Sequence, residues 1–82
     1  MTNRALETAI LKILSRVDTG LKEKTLQAET EIAMDRPTLT TDEFTDSLNG
    51  LEDKGLVDNW TNLIGDRVWG ITEMGKAALK GC

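Results

Sequence analysis

Several segments of the chain carry a hydrophobic pattern that indicates secondary structure. In the first, from Thr2 or Asn3 to Arg16 or Val17, apolar residues recur every three or four positions, which indicates a helix with one buried stripe. The residues predicted to be buried are Leu6, Ile10, Ile13, Leu14 and Val17, and those predicted to lie outside the stripe are Glu7, Lys12 and Arg16. Leu11 lies off this stripe. We expect it to be an isolated exposed leucine rather than a self-association edge, because one exposed apolar residue does not make a patch.

The second helix is predicted from residue 23 or 24 to residue 34, after a turn formed by DTGLKEK. Its stripe is less regular than the first. The stripe draws on Leu26, Ala33 and either Thr30 or Ile32. Pro37 ends any helix before it, because the proline ring disfavours helical geometry in the preceding residue. The connection DRPTL is therefore longer than the tight turn of a compact helix-turn-helix.

Both ends of the third predicted helix carry recognisable signals. Thr40 is suited to be the N-cap, and Glu43 follows at the position that completes a capping box. Leu39 and Phe44 then occupy the two positions of a hydrophobic staple, which fixes the angle at which the chain enters the helix. At the other end Gly55 can adopt the left-handed conformation of a Schellman motif.

This third helix, residues 41–54, is predicted to have two contrasting sides. The buried side consists of Phe44, Leu48 and Leu51, at the spacing of one helical stripe. The opposite side consists of Asp42, Asp46, Asn49 and Asp53. The helix therefore presents three carboxylates to solvent.

Two segments rich in Val, Ile and Trp follow, at residues 56–61 and 67–71. The stretch between them contains a glycine, so we predict an antiparallel hairpin with its turn at residues 62–66. Trp69 and Ile71 share one face of their strand by the period of two. We expect both to pack on the third helix.

A short helix, capped by Thr72 and ending near Lys80, completes the order helix, helix, helix, hairpin, helix. LEDKGLV ends the third helix, NWTNLIGDRVW spans the hairpin, and GITEMGKAAL leads into the last helix. These stretches are similar to the "L..KGLV" and "W.IT..G.A.L" patterns of MarR-like and PadR-like bacterial transcription regulators. The resemblance implies a winged helix-turn-helix fold, mainly α with a small β-hairpin. Its three-helix core would carry the hairpin as a wing and a short C-terminal helix.

The resemblance also implies DNA binding, with the third helix in the major groove and the wing beside the backbone or in the minor groove. The residues that would face DNA are Asp42, Asp46, Asn49 and Asp53 on the helix and Arg67 on the wing. Lysine and arginine supply most nonspecific DNA affinity by neutralising phosphates, and this helix face has neither. Asn49 could read an adenine, but the three carboxylates on its stripe would repel the flanking phosphates. Direct DNA recognition through the third helix is therefore disfavoured.

Charge is unevenly distributed along the chain. Residues 41–66 carry seven acidic side chains and one basic side chain, in a protein of net charge −4. The acidic helix face is either a solvated surface or a docking face for a basic protein partner. The solvated surface is the simpler interpretation. Glu52 and Asp53 keep the docking face as an alternative, because the helix dipole disfavours negative charge near a C-terminus. A metal ion at Asp42 and Asp46 is disfavoured, since hard cations need more oxygen ligands than an exposed helix face offers.

Composition narrows the function further. Eighty-two residues, with 39% hydrophobic and 29% charged, are typical of one small globular domain, residues 1–82. The sequence has no histidine, no glycine-rich phosphate loop and no CxxC pair, so we expect a non-catalytic protein without a metal or cofactor. No apolar run is long enough to cross a membrane, and a cytoplasmic location is expected. Cys82 is the only cysteine, so no internal disulfide can form. A homodimer through the first helix is left open.

Overall fold

The computed structural model describes residues 4–17, 19–35 and 40–80 of the chain. These residues form four helices and a three-stranded antiparallel sheet. The sequence pattern predicts every one of these elements except the first strand, so the mainly α fold class with a small β-hairpin is confirmed. In chain order the elements are α1 (Arg4–Ser15), β1 (Leu21–Lys22), α2 (Glu23–Met34), α3 (Thr41–Asp53), β2 (Val57–Thr61), β3 (Arg67–Ile71) and α4 (Glu73–Lys80).

Strand β1 lies where the sequence predicts only a turn. It pairs with β3, Leu21 opposite Trp69, and so makes β3 the central strand in the order β1-β3-β2. Gly20 allows this close approach, because its φ is +81° and a Cβ there would lie 2.8 Å from the Trp69 carbonyl oxygen and 2.9 Å from the Trp60 ring. Two residues are too few to display a period of two, so the pattern does not reveal the strand.

Helix α1 is buried over a wider face than its pattern predicts. Leu6, Ile10 and Leu14 are fully buried, as predicted. Leu11, predicted to be exposed, is 6% exposed and belongs to the hydrophobic core. That prediction is wrong because α2, α3, α4 and β3 all pack on α1, so more than one stripe of the helix faces protein.

Glu7 is the second departure from the predicted pattern of α1. The sequence pattern predicts that Glu7 lies outside the stripe, yet its side chain is only 8% exposed. Lys54, which follows α3, places its Nζ 3.3 and 3.4 Å from the two carboxylate oxygens of Glu7. A partner 47 residues away leaves no trace in the local pattern, so the burial of Glu7 could not be predicted from it.

Helix α2 buries Thr30 rather than Ile32. Leu26 and Thr30 are fully buried, whereas Ile32 is 76% exposed and Ala33, predicted to be buried, is also exposed. The Thr30 hydroxyl donates to the Leu26 carbonyl oxygen at 2.7 Å, which satisfies it inside the core. Hydrophobicity alone would favour Ile32 as the buried residue, but Thr30 is buried instead.

The beginning of α3 has the predicted N-cap. The Thr40 hydroxyl accepts a hydrogen bond from the Glu43 amide at 3.1 Å. Phe44 is fully buried, but Leu39, its predicted partner in the hydrophobic staple, lies outside the described residues. The N-cap fixes the first turn of α3 and so the direction in which its outer face points.

The end of α3 is tied to the beginning of α4. Gly55 has a φ of +76°, and the Leu56 amide donates to the Leu51 carbonyl, which confirms the predicted Schellman motif. The Thr72 hydroxyl donates to the Gly55 carbonyl at 2.7 Å and accepts from the Gly75 amide at 3.1 Å, so it caps α4 as predicted. A Cβ at Gly75 would collide with the Leu56 carbonyl oxygen, so α4 can lie this close only with glycine there.

Strand β3, the central strand of the sheet, anchors the hairpin to the core. Strand β3 packs chiefly on α1, α2 and α4, whereas β2 lies against α3. Trp69 and Ile71 are predicted to pack on α3, but the strand that carries them packs mainly on the other helices. Trp69 is 1% exposed, and its Nε1 donates to the Glu23 carboxylate at 3.1 Å. The strands are therefore held at the core while the turn between β2 and β3 projects from it.

Candidate functional site

The outward side of α3 carries four polar residues that the sequence pattern singles out. All four are exposed to solvent, namely Asp42, Asp46, Asn49 and Asp53. On the opposite side Phe44 and Leu48 are fully buried. The amphipathic period of α3 is therefore sufficient to place this set on one solvent-facing surface, referred to below as the acidic face.

The acidic face has no cation on its own helix to balance it. Helix α3 contains no lysine or arginine, and Glu43 and Glu52 add two further exposed acidic side chains. The Glu52 carboxylate accepts a hydrogen bond from the Asn59 side-chain amide on β2. Lys54 follows the helix but pairs with Glu7 instead. A polyanion brought against this face would therefore be repelled.

Three basic side chains line one cleft away from the acidic face, between the start of α2 and the hairpin turn. Arg67 is exposed at the start of β3 and lines a shallow cleft together with Lys22 and Lys24. These three residues are referred to below as the basic cleft. The pairing of β1 with β3 brings them together, because Lys22 lies opposite Val68. Neither lysine can be singled out from the sequence, since a two-residue strand carries no pattern of its own.

Two carboxylates also line the same cleft, and both are engaged with other groups. Asp66 forms an ion pair with Lys22 at 3.3 Å, and Glu23 accepts a hydrogen bond from a buried indole at 3.1 Å. Lys24 and Arg67 make no ion pair with any residue that the structure describes. The N-cap of α2 provides no side-chain hydrogen bond to the first turn of that helix. Cationic side chains and helix amides are therefore both available to an anion at this cleft.

The turn of the hairpin is fixed by hydrogen bonds and apolar at its tip. The Asn62 Oδ1 accepts from the amides of Ile64 at 3.1 Å and Asp66 at 2.9 Å, and its carbonyl oxygen accepts from Gly65 at 3.0 Å. Leu63 is fully exposed and Ile64 is 74% exposed. Two large apolar side chains therefore stand in solvent on an ordered turn.

Several solved structures share this arrangement of helices and strands. A MarR-family transcriptional regulator from Silicibacter pomeroyi has a TM-score of 0.76 and 24% identity, covering 93% of this chain and 47% of that one. The PcaV transcriptional regulator from Streptomyces coelicolor, in complex with its natural ligand, has a TM-score of 0.79 and 16% identity, covering 96% and 52%. SSV1 F-93 has a TM-score of 0.70 and 20% identity, covering 92% and 79%. The chain has a winged-helix fold.

The winged helix spans about half the length of the MarR-family regulator and of PcaV, 47% and 52% of those chains. No family model matches its sequence, and no curated protein matches it in a sequence search. The likeness to these regulators is one of fold, and it extends over nearly all of this chain.

In the winged-helix fold α3 occupies the position called the recognition helix, and the β2–β3 hairpin occupies the position called the wing. The residues singled out in the sequence fall into two surfaces of opposite charge. The recognition helix carries the acidic face, whereas Arg67 belongs to the basic cleft beside the wing. The basic cleft would attract the phosphates of a nucleic acid, and the acidic face would repel them.

The part of the chain that the structure describes contains no group of three or more His, Cys, Asp or Glu side chains placed to hold a metal ion. None of the helices in that part is both long enough and apolar enough to cross a membrane. The two charged surfaces and the apolar tip of the wing are features suited to binding.

Proposed function

We propose that this winged helix is a non-catalytic, DNA-binding regulator of transcription that contacts the DNA backbone through the basic cleft and the wing. The observation that carries the proposal is the meeting of Lys22, Lys24 and Arg67 beside the wing of a fold shared with PcaV and a MarR-family regulator. Phosphate oxygens are bound by lysine, arginine and the first-turn amides of helices. All three kinds of donor are available at the basic cleft.

The acidic face restricts how the complex can form. Full insertion of the recognition helix into the major groove would bring Asp42, Asp46 and Asp53 towards the phosphates that line it. An approach led by the wing and the start of α2 places the basic cleft on the backbone and keeps the acidic face away from it. Binding through about three cations would be weak and strongly dependent on salt, with a slope of log K against log salt of about −2 to −3.

Fluorescence anisotropy of a labelled duplex at about 50 mM and about 200 mM salt tests this proposal. Arg67→Ala and Lys24→Ala are each expected to weaken binding and to reduce the salt slope by about one. Lys80→Ala is the matched control, because Lys80 is an exposed lysine on α4 that lies outside the basic cleft. Absence of binding up to high micromolar protein at the lower salt would rule the proposal out, as would a slope that none of the cleft variants changes.

A second candidate function is favoured by the end of the recognition helix. Glu52 and Asp53 lie in the last turn of α3, which holds no basic residue, although the helix dipole disfavours negative charge there. Such a charge distribution suits a protein interaction module whose acidic face docks a lysine- and arginine-rich partner. Complementary charge would then set the association rate and the orientation of that partner.

One triple variant separates the two candidates. Asp42→Asn, Asp46→Asn and Asp53→Asn together remove three negative charges from exposed positions without changing side-chain size. If the winged helix binds DNA, this variant is expected to bind DNA at least as tightly as the parent chain, because repulsion is lost. If the acidic face docks a basic partner, isothermal titration with a short lysine-rich peptide will show binding to the parent chain and none to the variant.

A further inference from the structure

We propose that Leu63 and Ile64 form an apolar wedge that enters the minor groove of DNA and partly unstacks one base step, so that the protein bends the duplex. This inference rests on the proposed DNA binding. It adds a second activity, because phosphate contacts at the basic cleft alone need no deformation of the DNA.

The turn itself does not require these two side chains. Its hydrogen bonds come from Asn62 and from main-chain amides, and its left-handed position is filled by Gly65 with a φ of +87°. Turns of this kind favour Gly, Asn, Asp and Ser, each for a backbone reason that leucine and isoleucine do not share. Leu63 and Ile64 are 106% and 74% exposed, so their side chains contribute little to the core of this chain.

The same hydrogen bonds prepare the tip for insertion. Asn62 fixes the amides of Ile64 and Asp66 through one side-chain oxygen, and the Asn62 amide donates to the Asp66 carbonyl at 2.9 Å. A loop that is already ordered in the free protein loses little conformational entropy when it binds. The wedge can therefore be presented without a folding step.

The basic cleft begins close to the tip along the chain. Arg67 lies three residues after Ile64, which at about 3.3 Å per residue is at most about 10 Å of chain. The minor groove is about 7.5 Å deep, with the phosphates at its rim. With the tip in the groove, Arg67 is at most about 10 Å of chain away and so lies within reach of the phosphates at the rim. Asp66, the carboxylate next to the tip, is paired with Lys22 at 3.3 Å, which weakens its repulsion.

The cations near the tip favour DNA as its binding partner. Leucine and isoleucine are among the side chains that wedge between base steps, and pyrimidine–purine steps such as TA open most readily. Because the cations of the basic cleft lie next to the tip, and phosphates line the rim of the minor groove, we assign the partner to duplex DNA. An anionic lipid surface and a second copy of this chain are treated as outcomes of the test.

The test uses the full chain, a duplex with a central TA step and a dye at each end, and a second duplex with 2-aminopurine beside that step. The parent chain is expected to increase energy transfer between the dyes and to brighten the 2-aminopurine, which reports unstacking. The double variant Leu63→Gln, Ile64→Gln is expected to bind about tenfold more weakly, since the gain from burying the wedge is only partly offset by the cost of unstacking. It should produce neither optical signal.

Ile32→Gln is the matched control, because Ile32 is an exposed isoleucine on α2, at 76%, and is not part of the wing. It should behave as the parent chain does. Circular dichroism checks that the double variant folds, which is expected because both positions are exposed.

DNA binding by the parent chain without bending or unstacking, or bending that survives in the double variant, would overturn the wedge and leave the proposed function in place. Absence of any DNA binding by the parent chain would remove both. The wedge would also be overturned if the double substitution abolished binding to phosphatidylserine vesicles, or self-association in sedimentation experiments, while DNA bending stayed unchanged.

Discussion

The carboxylate of Glu7 lies among the hydrophobic residues of α1, with the Lys54 Nζ at 3.3 Å and most of its surface inaccessible. Burial of a charged carboxylate is unfavourable unless a cation or hydrogen-bond donors replace the lost water. Lys54 is itself 54% exposed, so solvent screens part of the attraction. Removal of Lys54 would therefore cost more free energy than the ion pair itself contributes to stability.

Lys54→Met is expected to lower the free energy of unfolding by about 1–2 kcal/mol, because it leaves the Glu7 carboxylate without its cation in a largely buried site. Urea unfolding followed by circular dichroism measures the change. Lys80→Met, at an exposed lysine that makes no ion pair with a described residue, should stay within about 0.5 kcal/mol of the parent chain. In Glu7→Leu, Lys54→Met the two effects should not add, and additive losses would contradict the coupling.

Individual helices and turns follow from local signals to a large extent. The N-cap at Thr40, the glycine at residue 55 and the cap at Thr72 each act within a few residues, so the sequence predicts them correctly. The acidic face could likewise be predicted, because it depends only on the period of one helix.

The pairing of β1 with β3 has no such local signal, and the basic cleft depends on it. Lys22 and Lys24 were therefore not recognisable as neighbours of Arg67, although Arg67 itself could be predicted from its place on the wing. Burial of Leu11 and Glu7 was missed for the same reason, since it is decided by elements packed on α1 from distant parts of the chain. Local signals in the sequence therefore predict individual elements better than they predict which elements contact each other.

Thr40→Ala is expected to reduce stability by about 1 kcal/mol, because it removes the acceptor for the Glu43 amide at the start of α3. Thermal or urea unfolding provides the measurement. Thr41→Ala is the control, since Thr41 is exposed, lies one residue later, and takes part only in a 3.5 Å hydrogen bond from Gln27 among the described contacts. Equal losses in both variants would contradict the N-cap assignment.

The whole molecule carries a net charge of −4 and measures 31 × 29 × 22 Å. At about 0.01 M salt the Debye length is about 30 Å, so every charge acts across the entire molecule, whereas at about 0.15 M it is about 8 Å. Seven of the acidic side chains lie within residues 41–66, so repulsion between them is concentrated on one part of the fold. Self-repulsion of this kind destabilises a compact chain.

Raising salt from about 10 to about 150 mM is therefore expected to increase the free energy of unfolding by about 0.5–1 kcal/mol. Urea unfolding at each salt concentration tests this. The variant Asp46→Asn, Asp53→Asn should show a smaller increase, because both positions contribute to the repulsion. A loss of stability on adding salt would mean that the ion pairs of Lys22 and Lys54 outweigh it.

Trp60 gives the wing an optical signal of its own. The chain contains two tryptophans and no tyrosine, so its intrinsic ultraviolet emission comes from two indoles in contrasting surroundings. Trp69 is 1% exposed, whereas Trp60 is 44% exposed and lies against the backbone at Gly20, where β1 meets the sheet. The emission of a half-exposed indole responds to a change of local polarity, while that of a buried indole stays constant. Occupancy of the wing can therefore be followed on the unlabelled protein, with Trp69 as an internal reference.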